Sequence, residues 1–137
     1  MDCFLNLSSS ANSTLTLAQH ESVDFHLLGG RFHRKNRFYY ALNEVDLLKD
    51  IHFDVAIIGA AGLKDGQVSF EDEADTYLKK LVLANAKVKV LLAEEDKFKK
   101  QSNYVLANID DFDYFITDKK PGKKIGAVLS DKVDIIF

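Results

Sequence analysis

Cysteine and proline are almost missing from this sequence, and tryptophan is missing altogether. The 137 residues include one cysteine, Cys3, and one proline, Pro121. A single cysteine cannot close an internal disulfide or supply a cysteine-rich metal site, which excludes the small proteins built on disulfides or on cysteine-bound metals. This composition fits a cytoplasmic protein.

Long hydrophobic runs and a strong net charge are absent as well. No apolar stretch approaches the ~18 residues that span a bilayer, and residues 1–7 lack the basic and long apolar segments of a signal peptide. We therefore expect no membrane partner. The net charge of −3 gives no general reason to expect binding to nucleic acid. The 47% hydrophobic and 28% charged residues suffice for one globular domain with one substantial core.

Familiar cofactor and catalytic motifs are also missing. The sequence has no Walker phosphate loop, no G-x-G-x-x-G fingerprint and no G-x-S-x-G elbow. Its four histidines, at positions 20, 26, 33 and 52, lack the spacing of paired metal ligands. The acidic run at 71–75 lacks the spacing of a calcium loop and favours the start of a helix. The sequence therefore predicts no cofactor, no metal and no catalytic residue.

The most informative stretch is residues 53–62, with the sequence FDVAIIGAAG. Its apolar run from Val55 to Ile58 is rich in β-branched residues and predicts a strand buried on both faces. Gly59 and Gly62 then allow a tight turn and a close approach to a ligand or to another segment. Because ligands of open α/β sheets bind beyond the carboxyl ends of the strands, this turn is a candidate site. The same residues also fit a tight turn that packs against the rest of the protein and binds no ligand.

Strand and helix patterns alternate along the rest of the chain. Strands are predicted at residues 3–7, 23–28, 88–93, 112–118 and 133–137. Helices are predicted at residues 11–20, 41–51, from about 72 to 82, and from Pro121 to about 130. Residues 63–68 are predicted as a loop, and Ser69 with Asp72 as a capping box before the third helix. This alternation predicts an α/β fold with a mostly parallel sheet flanked by helices.

Four further residues, in two places along the chain, are candidates for contact with an anion. Ser8, Ser9 and Ser10 follow the first predicted strand. Their hydroxyl groups and the N–H groups of the next helix suit an anion, and plain capping of that helix explains the same residues. Lys97 follows a predicted strand at the same rim of the sheet as Gly59, where it is either the partner of an anionic ligand or a solvated lysine.

The segment 31–40, with the sequence RFHRKNRFYY, is basic, aromatic and alternating in places. Cations interleaved with aromatic rings suit RNA or single-stranded DNA, because bases stack on the rings while the cations follow the backbone. The same segment could bind a phosphate group, or it could form a solvated hairpin arm that binds nothing. The residues leave these three alternatives open.

Five segments, taken in order, resemble motifs of the C-terminal effector-sensing domain of DeoR-type bacterial transcriptional regulators. The family's L-L-G-G-R, F-D-x-A-F-I-G-A-x-G, A-D-x-S-K-F and I-T-D motifs are similar to LLGGR at 27–31, FDVAIIGAAG at 53–62, AEEDKF at 93–98 and ITD at 116–118. Lys79 falls where the family carries the lysine of its E-A-x-x-K helix, with Asp75 in place of the glutamate. The resemblance extends over most of the chain.

This resemblance implies a fold like that of ribose-5-phosphate isomerase and the CoA transferases, with a non-catalytic pocket for a phosphorylated sugar or a related metabolite. In the family, effector binding changes how an N-terminal winged helix-turn-helix holds its operator. In the implied site, the phosphate charge is met by Lys97 and Lys79. The backbone comes close to the ligand at Gly59, Ala60 and Gly62. The opposite wall of the site is formed by Ser8, Ser9, Ser10 and Gly30.

The chain also departs from the family pattern. It has no helix-turn-helix segment and lacks the D-x-G-T-T turn, and Ser8-Ser9-Ser10 stand in the place of T-N-S. We therefore expect residues 1–137 to be a partial sensor domain, with DNA contacted only through a helix-turn-helix that is missing here. Loss of the first strand and helix would expose apolar surface, which a homo-oligomer would cover.

Two other functions fit the sequence. A sugar-phosphate isomerase-like enzyme on the same fold needs a general base within reach of its substrate. Asp54 and Glu73 are available for that role, and neither has a recognisable partner. An oligomerisation module that binds no small molecule is the other alternative. The resemblance favours the sensor portion of a transcriptional repressor of sugar metabolism over both.

Overall fold

A computed structural model describes residues 4–8, 11–27, 29–35, 37–40 and 43–137. The chain divides into two compact units, Met1–Asp46 and Leu47–Phe137. Its strands are β1 (Phe4–Ser8), β2 (Val23–Leu27), β3 (Arg31–His33), β4 (Phe38–Tyr40), β5 (Phe53–Gly59), β6 (Gln67–Phe70), β7 (Ala86–Leu92), β8 (Tyr104–Asn108), β9 (Tyr114–Ile116) and β10 (Asp134–Ile136). Its helices are α1 (Ala11–Leu17), α2 (Glu44–Leu48), α3 (Glu73–Ala84) and α4 (Lys123–Val128). In the described part of the chain, no helix is long and apolar enough to cross a bilayer.

The first unit contains a parallel strand pair and a hairpin. β1 and β2 pair in parallel, and α1 lies between them in the chain. β3 and β4 pair antiparallel, with the Phe32 and Tyr39 ring centroids 5.0 Å apart across the hairpin. Arg37 has a positive φ of 54°, and its Nε donates a hydrogen bond to Asn12 Oδ1 at 3.2 Å. One cation of the basic segment is thus engaged within its own unit.

The second unit is built on a four-stranded sheet in the order β10–β9–β7–β5, with all its strands parallel. β6 and β8 form a separate antiparallel ribbon. α3 packs against β5 and β7 of the sheet and against both strands of the ribbon. This architecture confirms the predicted α/β class with a parallel sheet flanked by helices. Because the strands are parallel, the carboxyl ends of β5, β7 and β9 lie at one edge of the sheet.

The hydrophobic core of the second unit joins one face of the sheet to the ribbon and to both helices. Phe115 of β9 and Leu91 of β7 are completely buried there. The other buried members of this cluster come from the remaining elements and the loops between them: Ala56, Ile58, Leu63, Val68, Phe70, Leu83, Ala93, Leu106, Ile109, Phe112, Ile125 and Val133. Sheet and ribbon therefore share one core.

β5 lies at an edge of the sheet, and the prediction that it is buried on both faces is wrong. Ala56 and Ile58 are buried, whereas Val55 and Ile57 on the opposite face are 51% and 63% exposed. Within the described residues β5 pairs with β7 alone. An apolar run shows that a strand can be buried, but the number of neighbouring elements decides how many of its side chains are buried.

The predicted loop at 63–68 and the predicted capping box also need correction. The chain makes a 3₁₀ turn at Lys64–Gly66 and then enters β6. Ser69 is therefore a strand residue, and its side chain is fully buried. The first turn of α3 is capped by Asp72, whose Oδ1 accepts a hydrogen bond from the Asp75 N–H at 2.8 Å. The sequence pattern also missed β8, the partner of β6.

Candidate functional site

A cavity of about 510 Å³ opens at the carboxyl ends of β5, β7 and β9. Its lining combines an apolar floor with polar and charged groups, as ligand sites commonly do. The lining residues are Gly59, Ala60, Leu92, Ala93, Glu94, Lys97, Ile116, Thr117 and Asp118. Three of the residues predicted for the site, Gly59, Ala60 and Lys97, are thus brought together.

Gly59 and Ala60, at the start of the turn after β5 (residues 59–63), line the cavity, and backbone hydrogen bonds tie this turn to neighbouring segments. The Ala60 N–H donates to the Leu92 carbonyl at 3.0 Å, and the Leu63 N–H donates to the Lys97 carbonyl at 2.9 Å. These N–H groups are therefore already used and do not cradle an anion. Gly59 contributes space instead, because a Cβ added there would meet no described atom within 4 Å.

Gly62 lies outside the cavity lining and is buried against the ribbon. It exchanges two backbone hydrogen bonds with Ser69, at 3.1 and 2.9 Å. A Cβ at this position would lie 2.6 Å from the Lys100 carbonyl oxygen and 2.8 Å from Ser69 Oγ. The absence of a side chain at Gly62 is explained by this close packing of chain segments.

The turn after β7, residues 93–98, supplies the charge at the cavity. It contains a 3₁₀ turn at Glu95–Lys97. Lys97 is half-buried, with 31% of its side chain exposed, and it is the one cation among the described residues that line the cavity. Glu94 and Asp118 contribute carboxylates to the same lining. The cavity therefore offers one ammonium group together with several hydrogen-bond acceptors.

Asp96 sets the electrostatic surroundings of Lys97. Its Oδ2 lies 3.0 Å from Lys100 Nζ and 3.5 Å from Lys97 Nζ. The hydrogen bond from Lys100 holds the pKa of Asp96 below its ordinary value, and the same bond raises the pKa of Lys100. Asp96 is consequently ionised at neutral pH and is held mainly by Lys100. Lys97 is the more distant of its two partners.

The remaining predicted residues are placed elsewhere or are not described. Lys79 forms an ion pair with Asp75 one turn earlier on α3, and its Nζ lies 3.9 Å from the centroid of the Phe70 ring. Gly30, with a φ of 135°, and Ser8, the last residue of β1, belong to the first unit. Ser9 and Ser10 lie outside the described residues. Their assignment to a site stays a prediction.

Sequence reasoning did not select Glu94, Thr117 or Asp118, although all three stand in segments that it had singled out. Thr117 is buried, its N–H donates to the Ile136 carbonyl at 2.9 Å, and its Oγ1 lies 3.4 Å from Asp118 Oδ1. The available signal was topological: Thr117 and Asp118 come directly after β9, which pairs with β7. Residues that follow neighbouring parallel strands meet at one edge of the sheet.

The two candidate general bases of the isomerase alternative lie away from this cavity. Asp54 lines a second cavity of about 350 Å³, beside His52 and Lys87, where β5 and β7 begin. Glu73 is in the first turn of α3. No group of three potential metal ligands occurs in the described part of the chain.

Comparison with known proteins identifies the family. The model of the DeoR C-terminal sensor domain matches residues 7–119. The chain is 29% identical to the HTH-type transcriptional repressor GlcR of Bacillus subtilis over 123 residues, which cover 90% of this chain and 47% of that protein. It is 21% identical to the glycerol-3-phosphate regulon repressor of Haemophilus influenzae over 132 residues, which cover 96% of this chain and 51% of that protein.

The chain thus spans about half the length of the curated relatives that it matches. The match to the family model covers most of the chain and agrees with the motifs recognised in its sequence. The chain belongs to the family of DeoR C-terminal sensor domains.

Proposed function

We propose that this chain is the effector-binding portion of a transcriptional repressor of sugar metabolism, and that its effector is a phosphorylated sugar or polyol. The proposal rests on the position of Lys97: its side chain is half-buried, and it lines a cavity at the carboxyl ends of three parallel strands. One of the relatives is named for a glycerol-3-phosphate regulon, which supports a phosphorylated polyol.

The chemistry of the lining suits such a ligand. The Lys97 ammonium attracts a phosphate, and a charge-assisted hydrogen bond of this kind is stronger than a neutral one. Glu94 supplies a carboxylate that accepts hydrogen bonds from hydroxyl groups. Leu92 and Ile116 are 39% and 36% exposed and offer apolar contact to the carbon skeleton. Gly59 leaves open space beside them.

The mechanism that we propose is linkage between two binding equilibria. An effector that binds one arrangement of the sensor more tightly increases the population of that arrangement. If the helix-turn-helix of the whole repressor holds DNA better in the other arrangement, effector and DNA oppose each other by the same coupling free energy. Binding alone suffices for this role, so no bond in the effector is broken.

A thermal-shift screen followed by calorimetry tests the proposal. The panel contains glycerol 3-phosphate, ribose 5-phosphate and glucosamine 6-phosphate, each beside its unphosphorylated parent. A ligand at 100 times its Kd stabilises the fold by about 2.7 kcal/mol, so a binder raises the melting temperature clearly. We expect a shift with at least one phosphorylated compound and none with its parent. The absence of a shift with the whole panel contradicts the proposal.

Lys97→Ala is the variant that assigns the site. We expect it to weaken binding of the identified phosphate by more than tenfold, about 1.4 kcal/mol, because the ammonium group in the lining is lost. Lys99→Ala is the matched control, since Lys99 is exposed and lies outside the cavity lining. Equal affinities of wild type and Lys97→Ala would remove Lys97 from the site.

Turnover separates this proposal from the isomerase alternative. A sensor returns ribose 5-phosphate and glucosamine 6-phosphate unchanged, whereas an isomerase converts them. Asp54 and Glu73 do not line the cavity of Lys97, which favours binding without catalysis. Conversion by the purified chain, lost in Asp54→Asn or Glu73→Gln, would establish the enzyme instead.

Self-association is a second part of the proposal, favoured by the exposed face of the sheet. Val55, Ile57 and Ile136 lie on the face opposite the core and are 51%, 63% and 50% exposed. A parallel sheet is usually covered on both faces. We expect sedimentation to show an oligomer that Val55→Thr weakens, while Val105→Thr, at an exposed position of β8, leaves it unchanged. A monomer at all concentrations contradicts this part.

A further inference from the structure

We propose that Asp118 is a positioning residue that holds the turn after β7 so that Lys97 stays in the cavity lining. This inference rests on the proposed function, because it assumes that Lys97 binds an anionic ligand. It concerns the way in which one oxygen of Asp118, at the end of a neighbouring strand, fixes the start of the 3₁₀ turn Glu95–Lys97.

The first observation is where the start of that turn finds its hydrogen bond. The first N–H groups of a helix have no partner inside the helix and need an acceptor from outside. Glu94, at the capping position, makes no side-chain cap among the described residues. The acceptor is Asp118 Oδ1, which lies 2.8 Å from the Glu95 nitrogen and belongs to the turn after β9. The cap therefore comes from a different part of the chain.

The second observation is that the other end of the turn is held independently. The Lys97 carbonyl accepts hydrogen bonds from the Leu63 N–H at 2.9 Å and from the Lys100 N–H at 3.1 Å. Inside the turn, the Lys97 N–H donates to the Glu94 carbonyl at 3.0 Å. With its end tied to the turn after β5 and its start tied to Asp118, the turn has little freedom to rotate. The two attachments together set the position of the Lys97 backbone, from which the side chain reaches the cavity.

Asp118 is itself well placed to act as an anchor. The neighbouring Thr117 is buried and bonded to the Ile136 carbonyl of β10. On the other side, the Ala93 N–H donates to the Ile116 carbonyl at 3.1 Å, so the two turns leave adjacent strands of one sheet. Asp118 thus transfers the rigidity of the sheet to the segment that carries Lys97.

The sign of its charge argues that Asp118 acts through hydrogen bonding. A carboxylate in the lining repels an anionic ligand, so its charge opposes the binding that Lys97 favours. Its Oδ1 is already committed to the Glu95 N–H. An asparagine keeps an oxygen at the same place without the charge, and so separates the two effects.

The experiment compares Asp118→Ala with Asp118→Asn. The readouts are the Kd of glycerol 3-phosphate by calorimetry and the hydrogen-exchange rate of the Glu95 amide by NMR. We expect Asp118→Ala to weaken binding at least tenfold and to speed exchange at least tenfold. Asp118→Asn should stay within threefold of wild type, or tighter, in both. If Asp118→Ala does not fold, Asp118→Ser, which is too short to reach Glu95, must show the same two losses.

Lys119→Gln is the matched control, because Lys119 Nζ lies 2.6 Å from Glu95 Oε2 and links the same two turns through exposed side chains. Exposed pairs contribute little, so both readouts should stay within threefold of wild type. Equal losses in Asp118→Ala and Asp118→Asn, or unchanged Glu95 exchange in Asp118→Ala, would overturn the proposal. Hydrogen exchange at Glu95 is measured without ligand. If the wild-type protein binds no phosphate, the proposed function is wrong, but the exchange rates still decide whether Asp118 holds the turn.

Discussion

The two turns that border the cavity are built in opposite ways. The turn after β5 begins with four small residues, Gly59 to Gly62, is tied by backbone hydrogen bonds from Ala60, Gly62 and Leu63, and brings no charge to the cavity. The turn after β7 carries Glu94 and Lys97 in the lining and is fastened by a side chain from β9's turn. The glycines are conspicuous in the sequence, yet the groups that can recognise a ligand stand on the other turn. Glycine marks where backbones approach closely, and only side-chain chemistry shows what is bound there.

The largest loss of stability is expected from a substitution at Gly62. Gly62→Ala places a Cβ 2.6 Å from the Lys100 carbonyl oxygen, and backbone cannot move away cheaply. Overpacking of this kind costs roughly 1–3 kcal/mol, so we expect a loss of about 2 kcal/mol in the free energy of unfolding, measured in urea. Gly59→Ala is the control, since its Cβ meets no described atom within 4 Å, and its stability should stay within about 0.5 kcal/mol of wild type.

An equal stability of the two glycine variants would show that the turn after β5 is not fixed by close packing. Its glycines would then have to be explained by a ligand after all. Calorimetry on Gly59→Ala directly checks the explanation by a ligand. The added methyl group reduces the space for an effector in the cavity lining without unfolding the turn.

A smaller loss of stability is expected at Lys79, a cation that lies outside the cavity lining. Lys79 pairs with Asp75 and lies over the Phe70 ring. Removing both contacts in Lys79→Ala should cost about 1 kcal/mol of stability, since a cation over a ring and a helical ion pair each contribute modestly. Phosphate affinity should stay unchanged, in contrast to Lys97→Ala. A tenfold loss of affinity in Lys79→Ala would place this lysine at the ligand.

The smallest effect concerns the pH dependence of the turn after β7. The Lys100 hydrogen bond holds the pKa of Asp96 below its ordinary value. A lowered pKa in the folded state means that the contact stabilises the fold above the unfolded pKa, and that this contribution disappears as pH falls through the folded pKa. In an NMR titration, Lys100→Ala should raise the Asp96 midpoint, while Lys99→Ala leaves it in place. An unchanged midpoint in Lys100→Ala would assign the shift to another group.

The strands of the parallel sheet were predictable because β5 and β7 are apolar segments separated by a helical pattern, and because β9 and β10 also fall within predicted strands. The run at 88–93 overlaps β7, and the run at 112–118 contains β9. Alternation of strands and helices then places Lys97 and Gly59 at the same rim, and both line the cavity. For these elements, local pattern and chain topology agree, so a single sequence carries the information.

The ribbon and the fastening of the turns were not predictable for a physical reason. β6 is four residues long, and its partner β8 lies more than 30 residues later, with a helix and a strand between them. A hairpin can be recognised in a sequence from the residues of its turn, whereas β6 and β8 are not joined by a turn. The contact between Asp118 and Glu95 is equally non-local. Likewise, the Asp75–Lys79 spacing signals an ion pair, but nothing local indicates the Phe70 ring beneath it.

The separation of β6 from β8 also has a consequence for the order of events during protein synthesis. Phe70 is paired with Tyr104, so β6 is made roughly 35 residues before its partner. At the 5–20 residues per second of translation, β6 waits roughly two to seven seconds for β8. During that interval Val68 and Phe70, both buried in the finished fold, have no ribbon strand to pair with. Until β8 is made, the apolar side chains of β6 can pack only against segments that have already been synthesised, among them α3.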